Sequence, residues 1–248
     1  MQAGKRSSFA AIVLAAAVAA PLPSVAAERW DWMVAPYLWA ANIRTDLDTT
    51  VPPGGISTDT SFDDILDGLD GYFAVRGEGQ GDDFGVLADF LFLGLEDEDE
   101  HPRFHTEADL DARLFDLAGV WSPGPVRYEG AEVFAGLRYV DLDLSVELDP
   151  VNPAFATSVR HPEESYADLL VGARYTWAFT DRWGLTLRGD GSWGDTEGTW
   201  DASATVQYKM GSGAWLFGYR WFEAELESNG DNTDITIDGL EVGYAFHF

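Results

Sequence analysis

Fourteen charged residues fall at alternate positions inside segments that have the period of β-strands: Arg76, Glu78, Asp89, Asp116, Glu132, Arg138, Asp168, Arg174, Arg188, Asp190, Asp201, Lys209, Arg220 and Glu241. Six are basic and eight acidic, a near balance that points to mutual pairing rather than to a field of one sign. Placed on the inner face of a closed sheet, they would meet around a common axis, where unpaired charge is costly and cross-strand ion pairs relieve it. Two kinds of chemistry follow. Such groups can form a salt-bridged filling that holds the sheet shut, or, if hydrated, a narrow path for ions and small solutes.

The rest of the acid is concentrated elsewhere. Asp46, Asp48, Asp59, Asp63, Asp64, Asp67 and Asp70 cluster in one region, and Glu96, Asp97, Glu98, Asp99, Glu100 and Glu107 in a second. Carboxylate oxygens suit Ca2+ or Mg2+, and Glu96, Asp97, Glu98, Asp99 and Glu100 are the densest candidate set. No stretch has the ordered ligand spacing of a calcium loop, so a solvated, self-repelling surface is the competing reading. His101 and His105 stand among these acids with Pro102 between them, where a metal or a general base is conceivable; His161 and His247 have no partner that makes a dyad. No nucleophile and base are brought together by spacing, which points away from an enzyme and from any bound cofactor beyond a cation. With 43 acidic residues against 15 basic ones and a net charge of −28, the chain would repel nucleic acid.

The positioning of these groups starts with export. Lys5 and Arg6 precede an apolar run from Phe9 to Ala20, and Val25-Ala26-Ala27 offers small residues before Glu28, so residues 1–27 read as a cleaved signal peptide and 28–248 as one domain. The chain has no cysteine, which leaves a packed core or a closed sheet as the source of stability. No later segment has the roughly twenty apolar residues of a spanning helix. Ten segments instead read as strands, near 30–44, 71–81, 84–97, 107–121, 129–144, 166–178, 183–194, 199–210, 214–227 and 235–248. Short turns at 81–83, 122–125, 180–182 and 211–213 alternate with longer loops near 45–70, 98–106, 145–165 and 228–234 and a brief one at 195–198. In the first long loop, Ser61 and Asp64 fit a capping box on a short helix.

The last segment sets the direction of the faces. Leu240, Val242, Tyr244, Phe246 and Phe248 alternate with Gly239, Glu241, Gly243, Ala245 and His247. Ala167 to Trp177 and Trp215 to Trp221 alternate in the same way. A soluble sandwich or lipocalin-like barrel has this period with the apolar face turned in. Charges matched on the polar faces, and aromatics such as Trp183, Tyr208, Trp215, Phe246 and Phe248 gathered at strand ends, favour the opposite sense: rings outward to lipid, charges inward. The reading is a transmembrane antiparallel up-and-down β-barrel of ten strands in a Gram-negative outer membrane, both termini periplasmic, surrounded by outer-membrane lipid including lipopolysaccharide. In 107–121, Asp109, Asp111 and Arg113 share the parity of Phe115, Leu117 and Trp121, so its first half is expected to rise above the bilayer; a bulge that switches faces is the alternative.

Pro36-Tyr37-Leu38-Trp39-Ala40, Ser61-Phe62-Asp63-Asp64-Ile65-Leu66, Gly172-Ala173-Arg174-Tyr175, Asp181-Arg182-Trp183 and Gly218-Tyr219-Arg220, in that order, resemble a family of uncharacterised Gram-negative outer-membrane β-barrel proteins. The resemblance also implies that Tyr244, Phe246 and Phe248 form the C-terminal signal read by the barrel-assembly machinery. It implies assembly and no reaction. The functional expectation is a non-catalytic barrel serving envelope organisation or surface binding. A porin-like diffusion channel is the alternative, and an outer-membrane hydrolase a weaker one.

Overall fold

Alternation of apolar and polar residues leaves each strand with two unlike faces, and a sheet that closes on itself satisfies every edge at once. In the computed structural model, which describes residues 30–50, 53–101, 104–150, 158–160, 163–228 and 231–248, the chain solves its edges in this way. The elements in order are β1 (Asp31–Thr50), β2 (Pro53–Thr60), α1 (Phe62–Asp67), β3 (Leu69–Gln80), β4 (Phe84–His101), β5 (Phe104–Trp121), β6 (Gly130–Pro150), β7 (Ser158–Arg160), β8 (Glu163–Ala178), β9 (Trp183–Gly194), β10 (Gly198–Met210), β11 (Gly213–Ser228) and β12 (Asp231–His247). Ten of these form an up-and-down antiparallel barrel in the order β1-β3-β4-β5-β6-β8-β9-β10-β11-β12, closed by β12 on β1. Strands β2 and β7 add to β1 and β6 at the end away from the termini. The expected signal peptide lies outside the described residues.

The outer surface is an apolar belt. On β1 it runs from Trp32 through Val34 and Leu38, on β8 from Trp177 back to Leu169, and on β12 from Phe246 to Leu240, all exposed. The β8 run is nine residues, the length a tilted strand needs to cross hydrocarbon, and the other two are seven each. Aromatics rim it at both ends. Trp32, Phe84, Trp121, Trp177, Trp183 and Trp215 form the girdle near the termini, and Tyr139, Trp193, Trp200 and Tyr219 a second one that the strand-end pattern had not suggested. Beyond this second girdle, Arg113 on β5 pairs with Asp111 and Asp141 at 2.9 Å each. The β4–β5 register is unbroken there. The strand rises out of the belt and needs no face-switching bulge.

The strands are longer than expected at this far end. Residues 98–101, 104–106, 145–150 and 231–234, read from the sequence as loop, continue the hairpins: Glu98 pairs with Glu107, Glu100 with His105, Asp149 with His105 and Asp231 with Ser228. Charge does not stop a strand once both of its faces meet water, and ladder pairing satisfies the backbone more completely than an open loop would. Within the first connection, Ser61 caps α1. Its hydroxyl donates to the Asp64 carboxylate and accepts from the Asp64 N–H, and its own N–H donates to the same carboxylate.

The seam between β1 and β12 joins the two ends of the chain. Trp32 and Phe248 exchange backbone hydrogen bonds at 3.0 Å. At Gly239 an added Cβ would lie 2.0 Å from the Ala40 carbonyl oxygen, so only glycine lets the strands approach here. Gly239→Val is therefore expected to lower barrel stability by about 1–3 kcal/mol, the usual cost of overpacking, read as an earlier urea midpoint for refolded protein in lipid vesicles. The two hydrogen bonds from Ser61 hold Asp64 below its ordinary value of 3.8. A lowered carboxylate stabilises the folded form above its ordinary value and ceases to as pH falls through the lowered one. The amide resonances of Phe62–Asp67 should keep helical positions at neutral pH and move towards coil positions as the pH drops below 3.8.

Candidate functional site

Midway along the lumen, the side chain of Arg138 on β6 is fully buried. Its guanidinium grips Asp116 of β5 through Nε and Nη2 at 2.8 Å each, reaches Asp190 of β9 at 2.8 Å, and donates to Thr199 Oγ1 of β10 at 2.8 Å. Arg188 braces the same Asp190 at 2.7 Å, and Arg220 of β11 holds Asp201 through Nε at 2.9 Å. Arg76 of β3 binds Asp89 of β4 at 2.8 Å, and Tyr37 of β1 donates to the other oxygen of Asp89 at 2.8 Å. The register supplies the short bonds directly, since Arg76 lies opposite Asp89, Arg138 opposite Asp116 and Arg174 opposite Glu132. Like charges also face each other, Asp190 opposite Asp201 and Arg174 opposite Arg188, and the longer reaches of Arg138 to Asp190 and Arg174 to Glu78 offset that repulsion.

Nearer the termini, Arg174 of β8 crosses the lumen to Glu78 of β3 through two parallel bonds of 2.6 Å and holds Glu132 at 2.5 Å. Gln80 donates to the same Glu132 at 2.7 Å. Below this pair, Tyr128 closes the mouth from a left-handed conformation (φ 60°), its N–H on Gln80 and its hydroxyl on the Asp31 carbonyl. The space left at this end is about 80 Å³, a few water molecules at about 30 Å³ each. Towards the far end, Asp168 receives Ser192 Oγ at 2.8 Å and both the N–H and the hydroxyl of Thr196. Glu241 stands 3.8 Å from Arg76, its second oxygen without a partner.

Not every residue singled out by alternation joins this cluster. Lys209 lies at the terminal rim with its side chain 45% exposed and pairs there with Glu129 at 2.9 Å. It shares the inward parity, but it stands one residue from the end of β10, at the mouth, where solvent reaches the side chain. Nor do all rings face lipid: Tyr37, Trp39, Phe134, Tyr166 and Phe222 point inward and are buried. Four of them cover guanidinium groups, Trp39 over Arg220 at 4.8 Å, Phe134 over Arg188 at 4.9 Å, Phe222 over Arg138 and Tyr37 over Arg76 at 5.4 Å each. A guanidinium whose edge is taken by carboxylates still presents two bare faces, and an aromatic face is an apolar surface that suits them. Above the charges Tyr37, Trp39, Tyr166 and Phe222 merge with Ala41, Val140, Ala224 and Leu226 into an apolar layer across the far lumen.

Nothing in the residue pattern marks Tyr37, Gln80, Thr196 or Thr199 directly as partners. Tyr37 and Thr199 share the inward parity of Trp39 and Asp201, which was the available signal. Of the candidate metal ligands, Glu96 is exposed, while the side chains of Asp97, Glu98, Asp99 and Glu100, like those of His101, His105 and His161, lie outside the described residues. Among the described residues no group of three or more potential ligands comes together. His247 is at the terminal mouth, edge-on to Tyr128 at 5.7 Å. Phe246 and Phe248 are exposed on the outer face, with Tyr244 packed edge-on against Phe246 at 4.8 Å.

No protein family and no curated protein sequence matches the chain. Solved structures do share its fold. The outer-membrane protease OmpT of Escherichia coli aligns over 92% of this chain and 99% of its own at 8% identity, with a TM-score of 0.52. The attachment invasion locus protein Ail of Yersinia pestis aligns over 90% and 100% at 10% identity (TM-score 0.38), and the translocator domain of the autotransporter NalP of Neisseria meningitidis over 88% of each chain at 14% (TM-score 0.39). At 8% identity the likeness to OmpT is one of fold. Together with the apolar belt and the charged interior, it identifies the chain as an outer-membrane β-barrel.

Replacing Arg138 by Met would remove both short bonds to Asp116, leaving it only Arg188 at 3.5 Å, and would leave Asp190 with Arg188 alone. Removing one partner of a buried pair costs about 3–5 kcal/mol, and urea unfolding in lipid vesicles should show a loss of that order. The loss should shrink when Asp116→Asn and Asp190→Asn are already present. Lys209→Met, at the exposed rim, should cost less than about 1 kcal/mol.

Proposed function

We propose that this barrel is a non-conducting, non-catalytic scaffold that carries long acidic hairpins above the outer membrane, with both termini periplasmic, and acts through those hairpins in surface binding or envelope organisation. The observation that carries the reading is the lumen itself: Arg138 is fully buried between Asp116 and Asp190, Arg174 is bonded across the axis to Glu78, and an apolar layer lies above both. An ion would have to displace paired guanidinium groups whose carboxylates would then stand bare, a penalty of several kcal/mol per ion before any gain. A fixed barrel whose interior is closed has its outer end left for work, and there the strands run well past the belt.

The hairpin ends are rich in carboxylates, which favours partners that are cationic: Ca2+ or Mg2+ bridging to lipopolysaccharide phosphates, or a basic protein surface. Tyr244, Phe246 and Phe248, on one outward face at the end of the chain, suit recognition by the barrel-assembly machinery during insertion. OmpT is named a protease, but a likeness of fold gives this chain no reaction.

Planar-bilayer recording of the refolded protein tests the reading. A flat trace at applied potentials of both signs is expected, with openings only in variants such as Arg174→Ala that remove a cross-lumen bond. Discrete, reproducible steps from the unaltered protein would overturn it in favour of a diffusion channel.

A further inference from the structure

The barrel wall is not continuous. β1 pairs with β12 from Met33 to Asp48. On its other side it pairs with β3 only as far as Pro36 opposite Val75, and resumes with β2 at Ile43 opposite Thr60. Between these points Tyr37–Asn42 has no strand beside it, and the facing stretch Leu69–Ala74 of β3 is paired on its β4 side alone. Pro36 has no N–H to extend the ladder, and it stands where the pairing stops. Part of this window lies within the apolar belt, since Leu38 is 46% exposed on the outward face. Unpaired strand edges are not tolerated against hydrocarbon, so something must cover the gap.

The cover is α1 and one tyrosine. The Tyr72 hydroxyl accepts the Trp39 N–H at 2.9 Å, and the Phe62 N–H donates to the Asn42 side chain at 3.0 Å. Ile65 of α1 is buried, while Leu66 is 48% exposed beside Leu38 and Leu69. Behind this cover is an apolar cavity of about 60 Å³ lined by outward-facing Leu38 as well as by lumen-facing Trp39, Tyr72 and Ile237. It therefore joins the outer surface to the apolar layer of the far lumen. Trp39 is one of its lining residues, and its indole N–H is buried without a hydrogen-bond partner. A buried donor left unmade is costly, and an acceptor on a bound molecule would recover that cost.

We propose that the window between β1 and β3 is a lateral binding site for an acyl chain of a bilayer lipid, with α1 as its movable cover. The occupant follows from position. The opening faces the hydrocarbon of the leaflet at the far end, its lining is apolar, and Trp39 stands near the edge of the belt, the depth at which a lipid's ester carbonyl can take its N–H. In the covered form the cavity holds no more than a chain end, so deeper entry requires α1 to lift, and α1 is a six-residue helix held by a Ser61 cap and the Asn42 bond. This site goes beyond the scaffold reading and does not depend on it, because a lumen can be closed to ions along its axis and still admit a chain from the side.

The test is photolabelling of the refolded full chain in phosphatidylcholine vesicles that contain a phospholipid with a diazirine in its acyl chain, the labelled residues being mapped by mass spectrometry. Outward residues such as Phe73 and Leu240 should be labelled in any event. The proposal expects additional labelling at inward-facing Trp39, Tyr72 and Ile237, none at Leu87 and Leu170 deeper in the lumen, and loss of the inward labels in Ala41→Phe, which fills the cavity without touching the belt. Ser61→Ala, which loosens α1, should increase them. Labels confined to outward residues, labels spread equally to Leu87 and Leu170, or inward labels that persist in Ala41→Phe would overturn it. Inward labelling by a diazirine fatty acid but not by the phospholipid would overturn the lipid as occupant. None of these readouts moves with conductance, so a channel found by electrical recording would leave this result standing.

Discussion

The rest of the structure depends on a constraint at Arg138: a guanidinium with no access to water must have its edge filled by carboxylates and its faces covered by rings. Asp116 and Asp190 supply the edge, Phe222 one face, and these residues come from β5, β9 and β11. Four strands are thereby tied through one side chain. The same arrangement recurs at Arg220, Arg188 and Arg76, so the interior is less a row of independent salt bridges than one polar slab bounded by aromatic faces. A mismatch of one residue in any strand would send a charge into lipid and a ring into the slab, which makes register and charge pairing the same requirement.

That slab divides the barrel by use. Towards the termini the lumen is narrow and polar, stoppered by Tyr128. Towards the far end it turns apolar, the wall opens between β1 and β3, and the strands continue into water as acidic hairpins. The features open to partners, lipid included, therefore collect at one end, while the other end is concerned with closing the chain on itself.

Much of this was legible from residue order. The outward parity of Leu240 to Phe248 and the inward parity of Arg138, Arg174 and Arg220 follow from period two alone, as does the cap at Ser61. Where inference fell short, the cause was physical in each case. Asp143-Leu144-Ser145-Val146-Glu147-Leu148 keeps its alternation past residue 144, but its charge was read as loop because hydropathy measures contact with lipid rather than strand pairing. Trp39 and Phe222 share the inward parity, but nothing along the chain tells that such a ring will cover a guanidinium. The bonds of Arg138 to Asp190 and of Arg174 to Glu78 depend on reaches past the adjacent strand, and the gap beside Tyr37–Asn42 depends on what fails to pair. Pro36 was its only written sign.

The bond pair between Trp32 and Phe248 has a kinetic meaning. The contact that closes the barrel joins residues at opposite ends of the described chain, so the loop that must be ordered before it forms is nearly the whole protein, and contacts of such separation make folding slow. Until that moment β1 and β12 are both open edges, each able to capture a strand from another chain. A nascent molecule is thus most exposed to misassociation just before completion, and its last residues decide when that exposure ends.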